Sequence, residues 1–286
     1  MKPNRVLQIV IHMIIVIVIM FLAMVGGSVA SDIFSTGHVL IDNLINTAVY
    51  IGITLSVGLL YARYILHFTC KEIGVRFKSP QWKWIITGIC LPLALTLFYI
   101  LFADGQIVKN DNAESLNFYL MNAIIYVGLP AGICEEFIFR GLIMHMFERE
   151  WNRTAAIVVP SVLFALMHTF NMRLGIVDFL LLLVAGSAVG IMFSLITLQS
   201  KTIWSSAVVH ALWNIVILGG VFIVESPESG LTANFLYRYE LSGSNIFLTG
   251  GRFGIESSLP AIIGYCLVSA MALRLLKKKS KRKRKH

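Results

Sequence analysis

Charge is scarce in this sequence. Of its 286 residues only 14% are Asp, Glu, Lys or Arg, while 57% are hydrophobic. A soluble domain carries about 25% charged residues. The apolar residues also run in long blocks rather than amphipathic stripes, so no segment is free to be a soluble domain. Cysteine is scarce too. Cys70, Cys90, Cys134 and Cys266 show no CxxC spacing, which excludes a disulfide framework and a zinc ribbon; they read as small apolar fillers. GxSxG is missing, so no serine-nucleophile elbow is present. HExxH is missing, which excludes a thermolysin-like zinc helix. There is no internal repeat, and no low-complexity linker apart from the tail. The net charge of +9 would suggest nucleic acid, but eight of the positive charges lie between Lys277 and Lys285. The rest of the chain is near neutral. A basic cluster directly after an apolar block attracts anionic lipid by roughly 1 kcal/mol per residue. It reads as a topology anchor on the bilayer, and nucleic acid is not an expected partner.

What is present is a series of apolar blocks near the length that spans a bilayer core. They predict an all-α, polytopic membrane bundle of about eight transmembrane helices, over 6–28, 43–62, 84–103, 118–147, 155–171, 176–199, 203–224 and 258–276. Residues 1–276 form one membrane domain with a motif core at 118–224, and 277–286 form a basic cytoplasmic tail. Lys and Arg set the orientation. Lys2 and Arg5, the loops 63–83 and 148–154, Lys201 and the tail hold most of the basic residues, whereas 29–42, 104–117 and 172–175 hold almost none. In the 225–257 connection, Arg238 and Arg252 are offset by Glu225, Glu228, Glu240 and Glu256. A multi-pass cell-membrane protein with both termini cytoplasmic is expected. Ser28-Val29-Ala30 resembles a signal-peptide cleavage site, but the preceding run exceeds the 7–15 residues of an h-region, so the first span is expected to be retained. Pro92, Pro130 and Pro160 lie within spans, where proline kinks a helix. Gly186 and Gly190 form GxxxG, which lets helix backbones approach. Trp82 and Trp84 are expected at an interface.

Ionisable residues inside the spans carry the functional information, because a charge at the bilayer centre costs at least about 2.5–3.5 kcal/mol. Span four contains Glu135, Glu136 and Arg140. Glu136 and Arg140 are four apart and stack on one helical face; Glu135 points about 100° away. Arg140 would hold Glu136 ionised, leaving Glu135 desolvated and suited to act as a general base. Span five contains His168. Span seven contains His210 and Asn214, again four apart, which offer an imidazole and an amide to one point. On the expected topology Glu136, His168 and His210 lie about 17, 20 and 10 Å from the cytoplasmic side. One cavity explains three polar clusters at similar depth.

The chemistry fits amide hydrolysis. A carboxylate takes a proton from water and returns it to the leaving amine, histidines orient the water, and His210 with Asn214 serve the oxyanion. No cofactor is needed for this; zinc held by Glu135, His168 and His210 is the alternative, since two histidines and a glutamate form a known ligand set. Two other functions compete: a non-catalytic membrane immunity or regulatory protein that binds a partner, and a transporter with a Glu/His relay. The transporter predicts inverted repeats, and none is found.

EExxxR, FxxxH and HxxxN, in that order on successive membrane helices, resemble the CPBP family (CAAX prenyl protease and bacteriocin-processing, or ABI) of intramembrane peptidases. Here they read Glu135-Glu136…Arg140, Phe164…His168 and His210…Asn214. The resemblance covers about residues 130–215. It implies a membrane-embedded endopeptidase acting on a membrane-associated peptide or protein, in CAAX-type proteolysis or in bacteriocin maturation and self-immunity. It also implies Glu135 as the base, Glu136 and Arg140 as a supporting pair, His168 at the water, and His210 and Asn214 at the oxyanion, with a metal-independent glutamate mechanism favoured.

Overall fold

The computed structural model describes residues 3–76, 78–170, 172–226, 229 and 234–283. Arg284 and Lys285 of the expected tail, Glu228 of the acidic loop, and Asn171 at the expected end of span five lie outside them. The chain is a helical membrane bundle. Among the described residues six helices are long and apolar enough to cross a bilayer. They are α1 (Arg5–Ile33, within the helix Pro3–Ile33), α2 (Val39–Tyr64), α3 (Trp82–Phe102), α4 (Leu116–Glu150), α6 (Ile176–Ser200) and α8 (Leu259–Lys283, apolar as far as Lys278). Two shorter apolar helices complete the set, α5 (Arg153–Met167) and α7 (Trp204–Ile217). Helix starts follow local chemistry. Ser115 accepts a hydrogen bond from the Phe118 amide at the start of α4, and Asn152 accepts one from the Ala155 amide at the start of α5, as N-cap residues do. Large apolar side chains stay exposed on the outer faces, among them Leu22, Leu97 and Leu267. In water these would be a liability; in a bilayer they are the solvated surface.

The short helices set the site. α5 and α7 have 15 and 14 residues, or about 21–23 Å of helix against a hydrocarbon core of about 30 Å. The expected seventh span over 203–224 is therefore corrected. α7 stops at Ile217, Gly220 turns the chain with φ +80, and residues Phe222–Glu225 form a strand. A side chain at Gly220 would strain that φ and place its Cβ 2.5 Å from the Asn234 carbonyl oxygen, so the glycine is what ends the helix. Non-helical backbone at this depth is tolerated where protein covers it or a cavity adjoins it. The strand, β2, joins a small sheet that the apolar pattern does not reveal. β1 (Gly105–Lys109) pairs antiparallel with β3 (Tyr237–Leu241), and β3 pairs parallel with β2, in the order β1-β3-β2. After β3, the chain makes one helical turn at Ile246–Thr249 and two 3-10 turns, Gly251–Phe253 and Ile255–Ser257, before α8.

Small residues bring the central helices together. A Cβ on Gly132 of α4 would lie 2.5 Å from the Ala207 carbonyl oxygen of α7, and one on Gly128 would lie 2.5 Å from the Ile215 side chain. The GxxxG pair of α6 meets α5 in the same way: a Cβ on Gly186 would fall 2.7 Å from Ala165, and one on Gly190 would fall 2.8 Å from the Ser161 backbone. Gly190→Val is expected to cost about 1–3 kcal/mol by overpacking, read as a lower melting temperature in detergent. Gly52→Ala, where nothing lies within 4 Å, is expected to show no loss. An equal effect of the two would remove the packing argument.

Two other expectations are corrected. Trp82 is exposed, but Trp84 is fully buried and donates its indole N–H to Gln199 at 3.0 Å. Two residues along a helix turn the side chain by about 200°, so both cannot face the interface. Only Cys134 is a buried filler; Cys70, Cys90 and Cys266 are exposed, and all four are free thiols.

Candidate active site

Around Glu135 the helix α4 widens into π-helical turns, at Ala123–Gly128, Ala131–Glu135 and Phe137–Ile143. Pro130 lies between the first two and has no N–H to give the ladder; such wide turns recur at functional sites. Glu136 and Arg140 are both fully buried, with Arg140 Nη1 3.0 Å from Glu136 Oε1. The contact is ionic rather than a well-aligned hydrogen bond, since Nη1 and Nε of Arg140 and Oε2 of Glu136 have no hydrogen-bond partner. Arg140 Nη2 donates to the Gly190 carbonyl at 3.2 Å. Its guanidinium lies over Phe164 at 4.6 Å and Phe193 at 5.2 Å, and aromatic faces suit a desolvated cation. Two core clusters meet here, one built on α1, α2, α4 and α5, the other on α3, α6, α7 and α8.

His210 of α7 joins this pair. Its Nδ1 lies 3.2 Å from Glu136 Oε1, and its ring stacks on Phe193 at 4.7 Å. A carboxylate accepts, so Nδ1 carries the proton and Nε2 is left for other work. His168 occupies the C-cap of α5, where its Nδ1 donates to the Phe164 carbonyl at 2.8 Å. A carbonyl only accepts, so His168 in its neutral form keeps its lone pair on Nε2.

His168, His210 and Asn214 line one cavity of about 260 Å³ between α5, α6, α7 and α8, walled by Phe164, Phe193, Trp213 and Tyr265. Of the six predicted residues, these three share the cavity. Glu136 and Arg140 stand behind it, in contact through His210. Glu135 is half-buried and is not among the lining residues. Its Oε2 is buried with no protein partner, and it lies within electrostatic range of Glu256. An unsatisfied buried acceptor costs about 1–3 kcal/mol, so this oxygen gains from a polar substrate group. Among the described residues no three His, Cys, Asp or Glu side chains gather as a metal-ligand group.

The match comes from the segment that carries these side chains. Residues 117–216 match the family model described as type II CAAX prenyl endopeptidase, Rce1-like. That family is the CPBP family, one of CAAX-type intramembrane proteases. The match covers just over a third of the chain, from α4 to the end of α7, and contains all six motif residues. No curated protein matches the chain.

The Rce1-like segment does not contain the whole cavity. Phe253, Glu256 and Tyr265 line it from beyond residue 216. Sequence reasoning missed Glu256 because it counted as one of several loop acids. The signal was its place: it follows the glycine run Gly250, Gly251 and Gly254 and stands three residues before an apolar span. Its Oε2 accepts the Trp213 indole N–H at 2.7 Å. Burial pushes its carboxyl above the ordinary glutamate range, and this outweighs the Trp213 hydrogen bond.

Proposed function

We propose that the chain is an intramembrane endopeptidase that hydrolyses a membrane-associated peptide or protein with water activated by Glu135. The observation that carries this reading is the convergence of His168, His210 and Asn214 on one cavity, backed by the Glu136–Arg140 pair. Water accepts no help from a bilayer, so the site must order it. His168 Nε2 accepts a hydrogen bond from one of its O–H groups and orients it. Glu135, which stands outside the cavity lining but within electrostatic range of Glu256 in its wall, takes the other proton as the oxygen attacks the scissile carbonyl carbon. The carbonyl oxygen becomes an oxyanion, which receives the Asn214 amide N–H. His210, oriented by Glu136, serves that oxyanion together with Asn214. Collapse breaks the C–N bond, and Glu135 returns its proton to the leaving nitrogen.

Both termini and the basic tail face the cytoplasm in this reading, with the tail on anionic lipid. The substrate is of the CAAX type or a bacteriocin-linked peptide. The experiment is cleavage of a panel of membrane peptides by purified protein in detergent. Glu135→Ala and His168→Ala are each expected to lose activity, His168→Ala by about a hundredfold or more. Unchanged cleavage in both would sink the site assignment. A chelator arm tests the metal: the glutamate mechanism expects the rate to stand, and a rate restored only by zinc would transfer the reading to the zinc alternative.

A further inference from the structure

We propose that Glu256 makes the cavity selective for a substrate group that carries positive charge, a lysine or arginine side chain or a free amine. The proposal takes its site from the peptidase reading but not its charge preference. Among the described lining residues Glu256 is the only Asp or Glu, and none is Lys or Arg. Two cations beside lining residues are committed elsewhere. Arg140 is paired with Glu136, and Arg252 is exposed and donates to the Arg173 carbonyl at 2.8 Å. The two histidines offer ring nitrogens rather than fixed charge.

The carboxyl is also held in place. The Trp213 indole fixes Oε2, and the Tyr265 hydroxyl donates to the Glu256 backbone carbonyl at 3.1 Å. The segment around it is tied down at three points: the Arg252 amide donates to Asp178 at 3.1 Å, Ser257 donates to the Gly250 carbonyl at 2.6 Å, and Tyr99 reaches Ser258 at 2.8 Å. No hydrogen bond among the described residues reaches Oε1. A carboxyl fixed on one oxygen and open on the other is pre-organised for a ligand donor. An ammonium or guanidinium there gains a charge-assisted hydrogen bond in a desolvated wall. An anionic chain terminus in the same place meets like charge once Glu256 ionises. Burial raises the carboxyl's pKa, and a cation beside it favours its ionised form.

Two measurements on the full chain in detergent test this. The first compares peptide pairs identical except for lysine or norleucine at one position, moved along the residues flanking the cleavage point. Wild type is expected to favour lysine at one position by roughly tenfold or more, and Glu256→Gln to bring that ratio near one. The second needs no catalysis. Pentylamine is expected to raise the melting temperature of wild type saturably, pentanol not to, and Glu256→Gln to lose the difference. A lysine preference that survives Glu256→Gln overturns the proposal, as does equal response to amine and alcohol. If the amine is selected through Glu256 but no peptide is cut, the charge preference stands and the peptidase reading fails.

Discussion

Glu135→Gln is expected to lower peptide cleavage by about 10²- to 10⁴-fold while leaving the melting temperature of the detergent-purified protein essentially unchanged. The two halves of that result have one cause. Glu135 carries a buried oxygen with no hydrogen-bond partner, and its charge reaches Arg140 only at a distance. An amide of the same shape removes the proton acceptor without breaking a contact. A side chain that folding leaves unsatisfied is one whose value lies in the reaction. The measurement is turnover of a cleavable membrane peptide alongside thermal unfolding of the same sample. If turnover persists within a few-fold, the base is another group, and Glu256 is the next carboxyl to test. If turnover is lost together with the fold, Glu135 is structural.

Arg140→Met is expected to do the opposite, and to act first on stability. Arg140 and Glu136 are fully buried and in ionic contact. Removing one member of a buried pair leaves an uncompensated charge and costs about 3–5 kcal/mol, or a fall of about 10 °C in melting temperature for a chain of this size. Methionine keeps the length and the contact with the aromatic rings. The double variant Glu136→Gln/Arg140→Met removes both charges, and most of the loss should return; the cycle then reads the coupling directly. Additive losses would mean that the pair does not act as a unit. His210 also rests on Glu136 Oε1, so even a stable double variant is expected to cleave poorly, because the imidazole loses the carboxylate that orients it.

These predictions separate two adjacent acids, and the separation was legible in the sequence. Glu136 and Arg140 are four apart on a helix, whereas Glu135 is turned away from them. The helical membrane class was legible as well, since long apolar blocks with little charge have only one stable arrangement in a bilayer. The three motifs read from the sequence lie inside the family match to residues 117–216. Periodicity also placed His210 and Asn214 on one face of α7, where both line the cavity.

Only the tertiary structure decided what lies opposite them. Hydropathy ran the seventh span on to residue 224, because Ile217, Leu218 and the residues Val221–Val224 are apolar in a strand or turn as much as in a helix. Gly220 ends the helix through a backbone angle that composition does not display. In the sheet β1-β3-β2, β1 pairs with a strand more than 100 residues away, and no local pattern encodes such a partner. Glu256 reaches the cavity because the turns after β3 are tied to α6 and α8 by Asp178 and Tyr265. Local periodicity therefore determined the spans and the polar faces on them, since burial in lipid acts on each helix alone. Which faces meet, where the helices stop and which loop acid closes the cavity depended on contacts between distant residues, and those exist only once the chain is packed.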